Sequence, residues 1–136
     1  MSSHLITGVA GFVGSHLAKR LIKEGHEVFG MDSLDCGFMT NIDELLGHPN
    51  FHFKTADIRN KNCIVAEIQF DYVWHLAARG EVWFCRDNPE EALDVNVIGT
   101  LNILKQAKRM RAKHIFFADT SAAYDSFEDD QYFPTA

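Results

Sequence analysis

The segment from Thr7 to Gly14 has three glycines whose spacing suits the binding of a diphosphate. It follows an apolar strand-like pair and opens an amphipathic run at 12–23, so strand, glycine turn and helix come in order. Gly8 would allow the tight turn, Gly11 the approach of a pyrophosphate, and Gly14 the packing of helix on strand. The helix N-terminus would offer N–H groups to the phosphates. The residues predicted to bind the dinucleotide here are Gly8, Gly11, Phe12, Val13 and Gly14.

Asp32 is a further residue that fits this chemistry. It follows a strand-like stretch at 27–31 and lies about 20 residues after the glycines. A carboxylate there accepts hydrogen bonds from both hydroxyls of an adenine ribose and repels a 2′-phosphate. No arginine or lysine follows before Lys54, so we expect NAD rather than NADP as the cofactor. An ordinary turn aspartate at a strand end is the alternative interpretation.

Strand-like and helix-like stretches alternate along the chain, and this alternation predicts an α/β fold. Such a pattern is typical of a parallel sheet covered by helices on both faces. Right-handed crossovers with a reversal after the third strand give the order 3-2-1-4-5 of a Rossmann-like, doubly wound sheet. Long helices are predicted at 12–24 and 89–110. The predicted strands are 5–7, 27–31, 51–53, 72–75 and 114–117, and short helices are predicted near 42–46 and 63–68.

Length and composition predict one globular domain. The chain has 136 residues, of which 46% are hydrophobic and 24% charged, and these are values of globular proteins. We assign residues 1–124 to a NAD-binding domain and residues 125–136 to an irregular acidic tail. The formal net charge of −6 argues against a nucleic-acid partner. No apolar run approaches the length of a membrane span, so we expect no membrane partner.

The cysteines and histidines do not indicate a metal site. Cys36, Cys63 and Cys85 are odd in number and share no metal-like spacing, which suits unpaired thiols in a reducing compartment. His48 and His52 are four residues apart, but a proline between them breaks a shared helix face. No leader pattern precedes the first strand. We therefore expect no bound metal and a cytoplasmic location.

Several short motifs are spread over nearly the whole chain. They are the glycine motif at 7–14, Asp32, Ala56-Asp57-Ile58-Arg59, His75-Leu76-Ala77-Ala78 and Asn96-Val97-Ile98-Gly99-Thr100. Their order and approximate spacing resemble the N-terminal part of an extended short-chain dehydrogenase/reductase, in the NAD-dependent epimerase/dehydratase family that acts on nucleotide sugars. The resemblance implies NAD as the cofactor and a nucleotide sugar as the substrate, the latter only with a C-terminal part that this sequence lacks.

The resemblance also implies roles for individual residues. Asp57 and Ile58 would bracket the adenine, with Asp57 accepting a hydrogen bond from its amine; on its own, Asp57 would be a helix N-cap or a turn residue. Asn96 would support the active site, as the matching asparagine does in relatives; a polar role also fits its place inside the long helix, because asparagine is a poor helix former. A solvent-facing asparagine is the alternative. The residues that would leave room for the cofactor's ribose and phosphates after the fourth strand are Leu76, Ala77 and Ala78.

The segment at 118–124 resembles the family's Ser/Thr-rich turn, in which a hydroxyl hydrogen-bonds the reacting substrate oxygen. Relatives usually close this turn with Val-Tyr-Gly, whereas this chain has Ala123-Tyr124-Asp125. Counting back from Tyr124 makes Thr120 the candidate catalytic residue, and aligning on the two alanines makes it Ser121. A plain loop whose hydroxyls satisfy backbone groups is the other interpretation.

The stretch at 79–87 contains two adjacent aromatic residues, Trp83 and Phe84. In relatives this stretch would lie near the active site, where aromatic side chains could contact a substrate. Aromatic residues can equally belong to the core, because their large apolar surface favours burial, and we expect these two residues there.

The family's chemistry needs a tyrosine followed four residues later by a lysine. The phenolate exchanges a proton as hydride moves to or from the nicotinamide, and the lysine lowers the pKa of the tyrosine. Tyr72, Tyr124 and Tyr132 all lack a lysine at that distance. We therefore expect a NAD-binding domain that is truncated before the catalytic pair and inactive alone. A stand-alone, non-catalytic NAD-binding sensor or partner-binding module is the alternative; a decayed remnant is a third, which the intact glycine motif argues against.

Apolar surfaces predict a homo-oligomer. The strand at 114–117 would be left as an apolar sheet edge, which is a liability for pairing with another chain. The long helix places Val97, Leu101 and Leu104 on one face, with Ile98 beside it. That face has more apolar surface than packing on one sheet requires, and in relatives the matching helices dimerise.

Overall fold

A parallel five-stranded sheet forms the centre of the protein. The computed structural model describes residues 1–64 and 68–120, and within those ranges the strand order is β3-β2-β1-β4-β5. This confirms the Rossmann-like sheet and its order of 3-2-1-4-5. The acidic stretch at 125–136 lies outside the described residues. The strands are β1 (Ser3–Thr7), β2 (Glu27–Asp32), β3 (Phe51–Thr55), β4 (Tyr72–His75) and β5 (His114–Phe117).

The long helices follow the prediction, with one interruption. Helix α1 (Phe12–Lys23) connects β1 to β2, and its buried face includes Ala18 and Leu21. The run predicted at 89–110 is helical throughout 89–109, but its middle, Asp94–Gly99, is π-helical. We label the α-helical parts on either side α3 (Pro89–Leu93) and α4 (Thr100–Arg109). Single π-helical turns inside α-helices occur frequently at functional sites.

The short elements differ from the prediction. The segment predicted as a helix near 42–46 forms two 3₁₀ turns, at Met39–Asn41 and Asp43–Leu45. Each turn closes by its own i→i+3 bond, such as that from Ile42 N–H to Met39 O at 2.9 Å, so a full α-helical turn does not develop. The helix predicted near 63–68 is wrong at the positions that can be described: Cys63, Ile64 and Ile68 are not helical. A short helix α2 (Val82–Asp87) precedes α3 and has no counterpart in the prediction.

The core lies on both faces of the sheet. Leu5 on β1 and Val73 on β4 pack with Ile103 of α4 on one face. Ile6 and Val28 pack with residues of α1 on the opposite face. Because β1 is central and covered on both sides, four of its five positions are buried rather than alternating in and out.

A core substitution in α4 tests this packing. Ile103 is fully buried, so we expect Ile103→Ala to lower the free energy of unfolding by about 2–5 kcal/mol, through lost burial and the cavity it leaves. Lys105→Ala is the control, because this residue lies on the exposed side of the same helix; it should cost about 0.5 kcal/mol or less. Urea unfolding followed by circular dichroism measures both. Equal losses for the two variants would contradict the packing described here.

Candidate functional site

A cleft of ≈ 650 Å³ of open space lies at the carboxyl ends of the strands. Loops after β1, β2, β3 and β4 form it, above the point where the crossover from β1 to β2 and the crossover from β4 to β5 run in opposite directions along the sheet. Open α/β sheets bind ligands at such a switch point. The cleft therefore brings together most of the residues that the sequence predicts for cofactor binding. Those that line it are Gly8, Gly11, Asp32, Asp57, Ile58, Leu76, Ala77 and Ala78.

The floor of the cleft is backbone, because its glycines have no side chains and the neighbouring backbone leaves no room for any. Gly8 has a φ of +73°, and a Cβ atom on it would lie 2.8 Å from the nitrogen of Ala77 in the loop after β4. A Cβ atom on Gly14 would lie 2.8 Å from the Cα atom of Val9, where α1 packs on the turn. Both distances are too short for real carbon atoms, so a larger residue at either position would push these segments apart.

The N-terminus of α1 faces this turn. Gly11 is its N-cap, and in the described part of the chain no side chain caps the helix and no acidic residue occupies its first turn. Phe12 and Val13, which are the first residues of α1, are 78% and 61% exposed, and their side chains do not line the cleft. What these two positions can offer to an anion is therefore the free N–H groups and the positive end of the helix dipole.

The Asp32 carboxylate connects the turn after β1 to the loop after β2. Its Oδ2 atom accepts a hydrogen bond from Ala10 N–H at 2.9 Å, and its Oδ1 atom accepts one from Leu34 N–H at 2.9 Å. Asp32 thus stabilises the turn at the end of β2, which was the alternative interpretation of this residue. Each carboxylate oxygen has a second lone pair, so Asp32 can still accept hydrogen bonds from ribose hydroxyls.

The Asp57 carboxylate lies in a turn that Arg59 stabilises. Its Oδ1 atom accepts a hydrogen bond from Arg59 N–H at 2.8 Å, and its Oδ2 atom accepts one from Arg59 Nε at 2.7 Å. The guanidinium holds the pKa of Asp57 below its usual range, so the carboxylate stays charged and able to accept from an amine. Arg59 also lies 3.7 Å from Asp35 and 3.5 Å from Glu91.

Two buried polar residues of α4, which the sequence analysis missed, position the loop that carries Asp57. Asn102 Nδ2 donates to the carbonyls of Ile58 and Arg59, each at 3.0 Å. Gln106 Oε1 accepts from Ile64 N–H at 2.9 Å. Both side chains are 4% exposed. Their four-residue spacing places them on one helix face, and that spacing is the signal that could have found them.

Asn96, in the π-helical turn, binds the backbone of Arg79. Its Oδ1 atom accepts from Arg79 N–H at 2.8 Å, and its Nδ2 atom donates to Arg79 O at 2.9 Å. One amide thus pairs with both polar groups of a single residue. The solvent-facing alternative is wrong, since both ends of this side chain are engaged. Asn96 itself does not line the cleft; it affects the cleft by fixing the backbone of Arg79, which does.

A chain of hydrogen bonds through His75 connects the glycine turn to the π-helical turn. Thr100 Oγ1 donates to Asn96 O at 2.7 Å, so it must accept from His75 Nε2, 2.9 Å away. His75 Nδ1 is then the acceptor for the hydroxyl of Thr7 at 2.7 Å. Thr7 Oγ1 in turn accepts from Ala77 N–H at 3.2 Å. This assigns the proton of the neutral ring to Nε2.

Of the two residues predicted to supply a substrate-side hydroxyl, only Thr120 lies among the described residues. Thr120 follows β5, and its N–H donates to Asp119 Oδ1 at 2.8 Å; it is absent from the described lining of the cleft. Ser121 lies outside the described residues. The expectation that Trp83 is a core residue is wrong, because its side chain is 70% exposed on α2.

A second cleft, with ≈ 630 Å³ of open space, differs in chemistry. Its walls are mostly apolar, with Phe29, Phe53 and Phe70 among them, and none of its described lining residues belongs to the glycine turn. Along 1–64 and 68–120, no group of three or more side chains is placed to hold a metal ion. No helix within those same ranges is long and apolar enough to cross a membrane.

A protein-family profile described as GDP-mannose 4,6 dehydratase matches residues 5–132. The chain belongs to this family. The resemblance to NAD-dependent epimerases and dehydratases is thereby confirmed, and it covers nearly the whole chain. The family match agrees with the cleft, because the glycine turn and the loops after β2, β3 and β4 all fall within the matched residues.

Individual members of the family are similar over the same region. UDP-glucuronic acid decarboxylase 1 of Danio rerio is 40% identical over 120 residues, which are 88% of this chain and 28% of that protein. The epimerase Mth375 of Methanothermobacter thermautotrophicus superposes with a TM-score of 0.88 at 30% identity, covering 97% of this chain and 39% of that one. The UDP-glucose 4-epimerase of Thermus thermophilus, solved in complex with NAD, superposes with a TM-score of 0.77 at 31% identity, covering 87% and 37%. This chain thus spans well under half the length of each.

The buried His75 predicts how stability depends on pH. Burial lowers its pKa to about 4, whereas a histidine in an unfolded chain titrates near 6.5. Above about pH 6.5 the ring is neutral in both states, and its contribution to stability is fully present. As the pH falls from about 6.5 towards 4, only the unfolded chain binds the proton, so the free energy of unfolding should fall by about 1.4 kcal/mol per pH unit from this group.

Urea unfolding over this pH range, compared between variants, isolates the contribution of His75. His75→Asn removes the titrating ring and should reduce the pH dependence. His48→Asn replaces an exposed histidine and is the matched control, which should keep the wild-type dependence. The same pH dependence in all three proteins would show that His75 is not the group responsible.

Proposed function

We propose that this chain is the NAD-binding part of an enzyme that acts on a nucleotide sugar, of the epimerase, dehydratase or decarboxylase kind. The observation that carries the proposal is the junction of the glycine turn with Asp32. The Asp32 carboxylate accepts from Ala10 N–H inside the turn, so the acceptor for a ribose and the cradle for a diphosphate form one rigid unit. A dinucleotide needs both groups side by side.

The roles of the site residues follow from their positions. The diphosphate lies against the backbone of Gly8 and Gly11, at the N-terminus of α1. Asp32 accepts the hydroxyls of the adenine ribose, and Asp57 accepts from the adenine amine above the buried side chain of Ile58. The apolar residues directly after β4 leave space for the second ribose, and they are Leu76, Ala77 and Ala78. NAD, when bound, supplies the hydride acceptor of the reaction.

The proposal assigns cofactor binding to this sequence and proton transfer to residues outside it. The three tyrosines of the 136 residues have no lysine four positions later, so the pair that exchanges the proton is missing from them. We propose that the chain by itself binds NAD without turning over a sugar nucleotide. Thr120 or Ser121 would act on the substrate only once a substrate-binding part is present. If the chain is part of an enzyme, a separate polypeptide bearing Tyr-x-x-x-Lys should restore turnover. If it is a stand-alone sensor, adding that polypeptide should give no turnover.

The proposal includes self-association through α4 and the helical turns before it. Four apolar side chains at helical spacing are exposed there, and we call them the outer helix face. On the opposite side, Asn102 and Gln106 are buried beside Ile103, so α4 leaves leucine side chains exposed while it buries two amides. The strand β5, whose residues are all exposed, is the competing contact surface. The outer helix face comprises Leu93, Val97, Leu101 and Leu104, which are 59%, 54%, 44% and 41% exposed.

We place the NAD-binding domain at residues 1–124 and the chain in the cytoplasm. The unpaired state of Cys36, Cys63 and Cys85 supports a reducing compartment. The domain boundary is supported by the sheet, whose last described strand ends at Phe117.

Cofactor preference tests the role of Asp32. In calorimetric titrations, the wild-type chain should bind NAD more tightly than NADP, because a buried carboxylate repels the 2′-phosphate of NADP and accepts from the uncharged ribose hydroxyls of NAD. Asp32→Asn keeps the size of the side chain and removes its charge. The ratio of NAD to NADP affinity should therefore fall about tenfold or more, which is about 1.4 kcal/mol.

Asp43→Asn is the matched control for that titration. It removes the same charge from an exposed 3₁₀ turn away from the cleft, and it should keep the wild-type ratio. Thermal unfolding checks that Asp32→Asn still folds. The check is needed because an amide has one acceptor oxygen, whereas the carboxylate accepts hydrogen bonds at both oxygens. Equal binding of NAD and NADP by the wild-type chain would contradict the role of Asp32, and binding of neither would contradict the proposed function.

Sedimentation velocity tests the self-association. The wild-type chain should sediment as a dimer or larger species in the micromolar range, and Leu101→Lys should shift it to the monomer by placing a charge in the outer helix face. Val82→Lys is the matched control, because Val82 is an apolar residue 74% exposed on α2. A wild-type monomer throughout that range would exclude the association, and a monomer produced by Phe116→Lys alone would assign it to β5.

A further inference from the structure

Arg79 is the one basic residue among the described residues that line the cleft. The other charged groups there are the carboxylates of Asp32, Asp35 and Asp57. A dinucleotide brings further negative charge in its diphosphate, which these carboxylates repel. The backbone N–H groups of the glycine turn offset part of that repulsion, and a cation beside them would offset more.

The guanidinium of Arg79 connects the loops that flank the glycine turn. Arg79 belongs to the loop after β4, and its Nη1 atom contacts the Sγ atom of Cys36 in the loop after β2. In the sheet, β1 lies between β2 and β4. A contact between those two loops therefore passes over the end of β1, where Gly8 begins the turn.

The side chain of Arg79 is held in place before any ligand arrives. Its backbone is paired with the Asn96 amide at both polar groups. Its guanidinium lies 4.1 Å above the ring of Phe84, and the side chain is only 13% exposed. A cation that is already ordered loses little conformational entropy when it binds an anion.

The hydrogen-bonding capacity of this guanidinium is largely unused. Within 1–64 and 68–120, its only hydrogen bond is to the Cys36 sulfur, which is a weak acceptor. Partial burial raises the pKa of the Cys36 thiol and so keeps that sulfur neutral. The nearest carboxylate oxygens, on Glu81 and Glu91, are 3.6 and 3.7 Å away, beyond good hydrogen-bond distance.

We propose that Arg79 binds the diphosphate of the dinucleotide, with Glu81 and Glu91 balancing its charge while the cleft is empty. This inference rests on the proposed function and adds a phosphate-binding residue to it. The purely structural alternative is that Arg79 only ties α2 and α3 to the loop after β4. The two differ in one respect: a diphosphate-binding residue affects ligands with phosphates and leaves a ligand without them unchanged.

Calorimetric titration of the purified chain with NAD, adenosine and UDP separates these outcomes. Arg79→Gln should weaken NAD binding about tenfold or more, because it removes a charged hydrogen-bond donor, and should leave adenosine binding unchanged. The NAD affinity of Arg79→Lys should lie between those of the wild type and Arg79→Gln. Arg86→Gln is the matched control: it removes the same charge from an arginine that stacks on Trp83 of α2 outside the cleft lining, and it should bind NAD as the wild type does.

A gain of affinity provides a test that a folding defect cannot imitate. Glu81→Gln removes a carboxylate that competes with phosphate for Arg79, so it should tighten NAD binding severalfold without changing adenosine binding. If Arg79→Gln does not fold by circular dichroism, Glu81→Gln and Arg79→Lys decide the question.

Each other outcome overturns a defined assignment. Unchanged NAD affinity in Arg79→Gln, or equal losses for NAD and adenosine, would overturn the assignment of Arg79 alone. A loss confined to UDP would mean that the bound diphosphate belongs to a sugar nucleotide and would overturn the assignment to the dinucleotide. Failure of the wild-type chain to bind NAD would contradict the proposed function and this inference with it.

Discussion

The close approach of three backbone segments at Gly8 is the constraint on which the cleft depends. The turn after β1 lies directly against Ala77 after β4, and α1 begins immediately beyond it and packs back through Gly14. A side chain at either glycine would separate these segments and raise the floor of the cleft. Because the floor is made of backbone, its polar groups are N–H donors at a helix end, which suits a diphosphate more than any apolar ligand.

Buried polar side chains hold the loops around that floor. The Thr7–His75–Thr100 chain connects β1 and β4 to the π-helical turn, and Asn96 in that turn fixes the backbone of Arg79. Asn102 does the same for the loop that carries Asp57. Among the described residues, no buried side-chain nitrogen or oxygen lacks a hydrogen-bond partner. Such networks position loops because a partly satisfied alternative costs more than the complete one.

The sequence predicts the strands and their order better than the loops. Strands of a parallel sheet are short, nearly continuous apolar runs, so the pattern places β4 and even the exposed edge strand β5 to the residue. The glycine motif locates the turn. The pattern fails where polar and apolar faces are reversed. In α4, Asn102 is buried and Leu101 is exposed, so a rule that places polar residues outside misses the contacts of Asn102. The π-helical turn and α2 also depend on tertiary contacts, such as those of Asn96, that no local pattern encodes.

Binding of a dinucleotide over the glycine turn is tested most directly by titrating the ¹⁵N-labelled chain with NAD and following its backbone amide signals by NMR. We expect saturable changes at Gly8, Gly11, Asp32 and Ala77, because their amides lie in or beside the cleft. The amides around the apolar cleft at Phe70 should change little. Changes centred on that second cleft, or none at saturating NAD, would contradict dinucleotide binding at the glycine turn.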